Sequence, residues 1–549
     1  MRLVDVIVAL IAILAAGLSA LWLLFPVQLM VLIVRLRRPV GPARPVTWES
    51  GPATPPAGER PPNIILIVAD DLGFNDLSLG GAGCGVAGGL VQTPNIDAIA
   101  HQGVQFTQGY AAHATCSPSR AALLTGRYPA RFGFEFTAVP SQLAKYVPRN
   151  SPKGRPYPTI YHADRQGQVP PMEAMGLPGG EVTIAELLKP RGYHTVHLGK
   201  WHVGEAPGMR PEEQGFDESL GFLSGAIKYR SGRCVEARIA GDPLDRLLWL
   251  ALNDAVQYNG GPRFHAGEYM TDYLSNEAVA AIEANRNRPF FLYLAYSAPH
   301  TPFQATQADY DALPAIADHR TRVYGAMVSA LDRGIGRVMD ALKAQGIDDD
   351  TIVIFTNDNG GAWYAGLPDI NKPYRGWKGT FFEGGIRVPF FIRWPSKIAA
   401  GQRLSMPAQH VDVFATAAAA AGADMPSDRQ MDGLNLLAYA MGKVAPPAGR
   451  TLFWRSGDYK AIRDGDWKLQ VSNNPARTWL FDLATDPTEQ TDLSSQQPDQ
   501  VKRLHAKLIA HDREMPEPLW PALLEEPIRI DFPAGAPWSA GQEFVYWPN

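Results

Sequence analysis

Four apolar runs of strand length, each ending abruptly in ionisable or metal-ligating side chains, constrain this chain more than any other feature. "NIILIVADD" ends in Asp70 and Asp71, "TVHLGKWHVG" runs into Lys200 and His202, "FFLYLAYSAPH" ends at His300, and "TIVIFTNDNGG" reaches Asp358 and Asn359. A continuous apolar run without alternation is the pattern of a strand covered on both faces, the environment of a parallel sheet. Parallel strands require crossover connections, and amphipathic stretches such as "MVSALDRGIGRVMDALKAQG" supply them. In an open parallel sheet ligands bind beyond the carboxyl ends of the strands, so polar groups remote in sequence can converge there. The predicted fold is α/β, a large mixed, mostly parallel sheet sandwiched by helices. The segment "RTLFWRSGDYKAIRDGDWKLQVSN" reads differently, as short alternating strands separated by Gly-Asp and Asp-Gly turns. With the helical stretch from Asp499 to Asp512, it predicts a smaller C-terminal antiparallel sheet of four strands plus one helix, followed by a proline- and aromatic-rich tail.

At the N-terminus, "VIVALIAILAAGLSALWLL" (Val6 to Leu24) gives about 28 Å of helix, enough to cross a hydrocarbon core. Pro26 interrupts it and apolar sequence continues to Val34, without the small-residue cut site and polar follow-on of a cleavable signal. The expectation is an uncleaved transmembrane anchor over residues 1–36. Arg35, Arg37 and Arg38 vote for a cytoplasmic remainder. Large domains override that vote, and the expected location is membrane-anchored with an extracytoplasmic (periplasmic or exported) main domain. Residues 37–62, rich in proline and glycine, read as an extended spacer. A main domain follows over 63–445 and a small C-terminal unit over 446–549. The net charge of -4 lacks the basic footprint of a nucleic-acid partner. Three cysteines, Cys84, Cys116 and Cys234, form neither a disulfide framework nor a metal-ligand spacing. Cys84 reads as a loop cysteine and Cys234 has no assigned role.

Cys116 opens "CSPSRAALLTGR". Ser117 is the expected N-cap, Pro118 suits the first helical position and Gly126 the C-terminal cap. Cys116 then lies at the positive end of the helix dipole, with Arg120 close to the same end. As a plain thiol it has two readings, a small buried hydrophobe or a nucleophile of lowered pKa, and the first is the usual fate of a free cysteine.

"CSPSRAALLTGR" resembles the signature of the sulfatase family, the formylglycine-dependent, arylsulfatase-like branch of the alkaline phosphatase superfamily. The blocks "ADDLG", "TPNIDAIA", "GYHTVHLGKWHVG", "APHTPF", "FTNDNGG" and "YRGWKGTFFEGGIRVPFF" are similar to sulfatase blocks in family order. The resemblance implies that a formylglycine-generating enzyme oxidises Cys116, and that the hydrated aldehyde attacks sulfur. It implies a divalent cation on Asp70, Asp71, Asp358, Asn359 and residue 116. By resemblance the ion is calcium, with magnesium the alternative that an all-oxygen set leaves open. Arg120 and Lys200 match positions that hold the hydrate and neutralise charge. His202 matches the residue that takes the proton when sulfate is expelled, and His300 and Lys378 match contacts to the sulfate that assist departure of the alcohol. Asp358 matches a position that both ligates the metal and activates the attacking hydroxyl.

Taken singly, each of these residues has an ordinary structural role: Asp70-Asp71 and Asp358-Asn359-Gly360 are turn sequences, Lys378 a solvated loop lysine, His300 a loop-ordering residue. Their joint occurrence in family order is what outweighs those roles. His410 and Asp412 read as helix-start and packing residues. The implied activity is hydrolysis of an aryl sulfate or a sulfated sugar. The alternatives are a phosphonate or phosphodiester hydrolase of the same superfamily, and a catalytically silent membrane-anchored binding protein. The alcohol would be recognised by loops, notably Phe132 to Glu181 and Tyr229 to Phe264.

Overall fold

The structure, a computed structural model, describes residues 36, 38–56, 58, 60–79, 89, 91–139, 141–151, 154–239, 243–447 and 449–549. The Val6 to Leu24 run and Cys84 lie outside the described residues, among which no helix is long and apolar enough to cross a membrane.

The four runs that define the sequence are four adjacent strands. A ten-stranded sheet has the order Gln402–Gln409, Val104–Tyr110, Phe390–Arg393, Thr351–Asn357, Asn63–Ala69, Phe290–Ala295, His194–Lys200, Glu218–Phe222, Ala255–Tyr258 and Phe264–His265. The strands from Thr351–Asn357 through Glu218–Phe222 are all parallel, while Phe390–Arg393 and Ala255–Tyr258 run antiparallel to both neighbours. Every residue of the four central strands is buried, which accounts for their unbroken apolar character. Side-chain alternation splits each strand between two cores. Ile65 and Ile67 pack with helices Met270–Asn285 and His319–Ala344, whereas Ile64, Leu66 and Val68 pack with Cys116–Thr125 and Asp412–Ala421. The expected crossover helix is His319–Ala344, started by Asp318, whose side chain accepts a hydrogen bond from the Thr321 backbone N–H.

The C-terminal unit is the expected four-stranded meander over Thr451–Ser456, Tyr459–Asp464, Trp467–Asn473 and Ala476–Asp482, with the helix Pro498–Asp512. Leu504 and Leu508 of that helix cover Ile462, Leu469 and Leu480 of the sheet. In the proline- and aromatic-rich tail, Leu524–Arg529 and Phe544–Pro548 pair and take Ile160–Tyr161 of the main domain as a third strand.

The proline-rich segment before Asn63 is not a free spacer. Gly41 hydrogen-bonds both ways with the Arg263 to His265 edge, and Trp48 is buried in the core with its indole N–H on Glu277. The Glu49 N–H donates to Glu218, the Gly51 N–H to the Ala284 carbonyl, and Arg60 reaches the carbonyls of Arg286 and Arg288. Extended backbone that cannot fold on itself has found its hydrogen bonds on the body, with Trp48 as the apolar anchor.

Candidate active site

The carboxyl ends of the four central strands bring Asp70, Asp71, Lys200, His202, His300, Asp358 and Asn359 to one end of the sheet, and the helix Cys116–Thr125 points its N-terminus at them. The N-cap is Thr115 (φ -136°, ψ 152°), two residues earlier than the expected cap at Ser117, so the helix begins on Cys116 itself and Ser117 lies inside the first turn. The threonine hydroxyl makes no capping bond and lies 2.9 Å from His113 Nδ1. Gly126 closes the helix in the left-handed conformation at φ 68°, as expected.

Three buried cations answer three buried carboxylates. Arg120 sets its guanidinium on Asp358, at 2.9 and 2.8 Å, and 3.8 Å from Asp70. Lys200 Nζ lies 2.9 and 2.7 Å from the Asp70 oxygens, and Lys378 Nζ lies 2.7 and 2.9 Å from those of Asp71. Cys116 Sγ is 3.8 Å from Asp70. His300 Nε2 is 3.5 Å from Asp71, while its Nδ1 lies 2.5 Å from the Thr301 carbonyl oxygen, which fixes the proton on Nδ1. Lys378 reaches the cluster because its loop presses on the "NDNGG" turn: a Cβ on Gly360 would meet the Gly384 carbonyl oxygen at 1.9 Å. Asp71 (φ 60°) and His202 (φ 59°) are both held in the left-handed region, a strained backbone of the kind found at functional sites.

Burial dominates the protonation states. It pushes the Cys116 thiol up to about 12, with Asp358 reinforcing the shift, so the encoded thiol is not poised as a thiolate. His300 is pushed down to about 3 and His202 well below its ordinary value, in both cases chiefly by desolvation, so both imidazoles are neutral. Asp70 is raised by desolvation, while Lys378 and His300 overcome the same effect at Asp71 and hold it low.

Sequence reasoning missed Tyr364. Its hydroxyl donates to Asp71 at 2.9 Å, accepts from Lys378 at 3.1 Å and lies 3.4 Å from His300 Nε2. A tyrosine in "GGAWYAG" carries no spacing signal; only its position five residues past Asn359 connects it with the site. His410 is buried behind the carboxylates, its ring nitrogens 3.0 Å from Ser119 Oγ and 3.2 Å from Thr356 Oγ1. Ser119 in turn donates to the Asp358 carbonyl at 2.6 Å. Asp412 accepts from the Gln409 and Leu434 N–H groups and pairs with Arg450, a structural role. Cys234 is half-buried and remains without an assignment.

The donor set fits a hard divalent cation. Oxygens of Asp70 and Asp71, Cys116 Sγ and a His300 nitrogen all lie within 4.8 Å of one another, and Asn359 Oδ1 is buried there without a hydrogen-bond partner. With three carboxylates facing Arg120, Lys200 and Lys378, an added cation would shift the cluster toward the positive charge that an anionic substrate needs.

The sequence matches the sulfatase family model over residues 62–423 and the model for the C-terminal region of N-sulphoglucosamine sulphohydrolase over residues 376–514. It is 33% identical to steryl-sulfatase of Mus musculus over 484 residues, covering 76% of this chain and 71% of that one. It is 34% identical to N-acetylgalactosamine-6-sulfatase of Homo sapiens over 408 residues, covering 73% and 69%. The crystal structure of Ps i-CgsB in complex with k-i-k-neocarrahexaose superposes with a TM-score of 0.68 at 32% identity, over 84% of this chain and 95% of that one. Strand ends, site chemistry and likeness agree, and the chain belongs to the sulfatase family of sulfuric ester hydrolases.

Proposed function

We propose that this protein hydrolyses the sulfate ester of an aryl alcohol or a saccharide through a formylglycine derived from Cys116, with a divalent cation, calcium by family likeness, on Asp70, Asp71, Asp358 and Asn359. The observation that carries the reading is the buried cluster in which Arg120, Lys200 and Lys378 pair with Asp358, Asp70 and Asp71 around Cys116, whose Sγ lies 3.8 Å from Asp70 and whose thiol is pushed by burial up to about 12. A thiol there has no nucleophilic role, whereas an oxygen at the same position faces the cations that a sulfuryl group needs. A hydrated formylglycine at 116 would supply one hydroxyl to attack sulfur and a second whose deprotonation expels sulfate. A cation on the carboxylates would polarise a sulfate oxygen.

The chain's own residues do the rest. Arg120 and Lys200 neutralise charge on the reacting side. Lys378 carries protons at Nζ and is the group able to give one to the departing alcohol, because His300 is neutral with its proton on Nδ1. Neutral His202 offers a buried, unpartnered Nδ1 as a proton acceptor. The relatives act, by name, on a steryl and on an N-acetylgalactosamine sulfate, so the alcohol is set by loops outside this cluster.

Mass spectrometry of the Cys116 peptide from protein made in its own host tests the reading. A loss of about 18 Da, thiol to aldehyde, is expected. A wholly unmodified cysteine would overturn it in favour of a silent binding protein, and faster turnover of paired phosphate esters than of sulfates would favour a phosphoester hydrolase.

The same reading includes attachment to a membrane through the Val6 to Leu24 run, with the catalytic domain extracytoplasmic. Its support is the length and apolarity of that run and the absence of a cut site after it.

A further inference from the structure

The strap that replaces the expected spacer has a direction. Arg38 pairs with Glu205 at 3.1 Å, and Glu205 lies three residues past His202 on the loop leaving the strand that carries Lys200. Gly41 joins the sheet edge at Phe264, Trp48 lies against Glu277 in the middle of Met270–Asn285, and Gly51 bonds to Ala284 at the end of that helix. Arg60 is 2.8 Å from the Arg286 carbonyl oxygen and also bonds Asn63, where the first strand starts. The segment therefore runs the full height of the sheet, from its carboxyl end, where the site lies, to its amino end. Among the described residues the first with a bond to the body is Arg38, four positions past Val34, where the apolar sequence ends, a reach of at most about 14 Å.

We infer that the strap seats the catalytic end of the sheet against the membrane, so that the sulfate ester taken is one carried by a membrane-held amphiphile. The inference rests on the membrane attachment and the sulfatase activity proposed above. The strap's edge strand, Phe264–His265, and the Asn63–Ala69 strand that leads into Asp70 and Asp71 are five strand spacings apart, about 24 Å, with Lys200 two strands nearer, so the site lies on the same end of the sheet as the tether. The corner between them is basic. Arg38 lies there, Arg44 lies over the Phe264 ring at 4.6 Å, and Arg263 is adjacent. Such a corner suits anionic headgroups. A spacer free in solution would leave the domain tumbling at any angle, whereas a strap with Trp48 in the core and hydrogen bonds along its length fixes one end downward.

The full chain with Cys84 and Cys234 changed to Ser, reconstituted in phosphatidylcholine–phosphatidylglycerol vesicles containing nitroxide-headgroup lipid, gives the test. A fluorophore on Pro207→Cys, at the exposed catalytic end, is expected to be quenched, and one on Asp349→Cys, at the opposite end, is not. Equal quenching or the reverse order would overturn the inference. A second readout compares a long-chain alkyl sulfate held in the vesicles with a soluble aryl sulfate. A Gly/Ser insert of about 20 residues between Val34 and Arg35 should lower turnover of the vesicle-held ester about tenfold and leave the soluble ester unchanged. Unchanged turnover of both would count against the inference. Loss of aryl sulfate activity in the parent chain would instead strike the sulfatase reading, with the quenching result still deciding the orientation.

Discussion

The ammonium of Lys378 is shared between both carboxylate oxygens of Asp71, at 2.7 and 2.9 Å, and the hydroxyl of Tyr364 at 3.1 Å, all in a buried site. Lys378→Met keeps the stem and removes the charge. Its kcat on an aryl sulfate should fall by about 10² to 10³. Tyr364→Phe, which removes the hydroxyl's bonds to Asp71 and Lys378 and leaves the ion pair, should lose about tenfold or less. Equal losses in the two variants would show that Tyr364 itself touches the substrate.

Removing bound cation should lower stability as well as activity, because the ion would link four residues from two strand ends. Chelation is expected to lower Tm, and calcium at about a hundredfold over its Kd to restore about 2.7 kcal/mol. Asn359→Ala should weaken that rescue. An identical Tm with and without chelator would remove the cation from the site.

Gly225 is the floor beneath His202. A Cβ there would meet His202 Nε2 at 2.5 Å, and Gly225 is not in the left-handed backbone region, so alanine changes the contact alone. Gly225→Ala should displace the imidazole and reduce kcat about tenfold to a hundredfold at nearly unchanged Tm. A variant of full activity would show that His202 has room to move without cost.

Lys468 of the small sheet is buried between Glu383, at 2.8 Å, and Glu489, at 2.9 Å. Glu383 also binds Arg387 and accepts from Tyr110, and it lies on the loop that carries Lys378. Lys468→Met should destabilise by about 3–5 kcal/mol, because two carboxylates lose their common cation. Lys468→Met with Glu489→Gln should recover part of that loss, since Arg387 still neutralises Glu383. Thermal unfolding of the two variants decides it.

Asp332 tests the sign of a buried carboxylate. Desolvation raises it to about 6 from 3.8, although it accepts from the Asn95 and Ile96 backbone N–H groups and from the Asn95 side chain. Between those values the folded state keeps a proton that the unfolded state has lost, so the contribution of this group to stability falls as pH rises from about 4 to 6. Relative to the parent, Asp332→Asn should show a flatter dependence of the urea midpoint on pH across that window. A parallel profile would mean that Asp332 titrates normally.

The sequence exposed those parts of the site whose chemistry is local. Strands buried on both faces leave an unbroken apolar signature, and their polar ends stand out against it, so Asp70, Lys200, His300 and Asp358 were legible as candidates. The four-stranded meander was legible for the same kind of reason, through its turn dipeptides. Tyr364 was not, because its role depends on a loop meeting Asp71 across 293 positions of sequence. The docking of the extended segment was not legible because proline and glycine report only that a segment will not form a helix or a central strand, and say nothing of whether Trp48 will find a cavity. The N-cap moved from Ser117 to Thr115 because the extended backbone before the helix, rather than a side-chain hydrogen bond, sets where the helix begins.

The burial of Cys116 turns maturation into a matter of time. At 3% exposure, with its helix wholly buried, position 116 is closed to any second enzyme once the domain has formed. Asp70 and Asp71 precede it, but Lys200, His300, Asp358 and Lys378 all lie downstream, Lys378 about 260 residues later and Lys468 of the small sheet about 350. At roughly 5–20 residues per second of synthesis, the cysteine is accessible for on the order of 20 to 70 s before Lys468 is made. The modification proposed here must outrun folding, so a host that translates quickly or modifies slowly would accumulate a well-folded protein with an inert thiol sealed inside it.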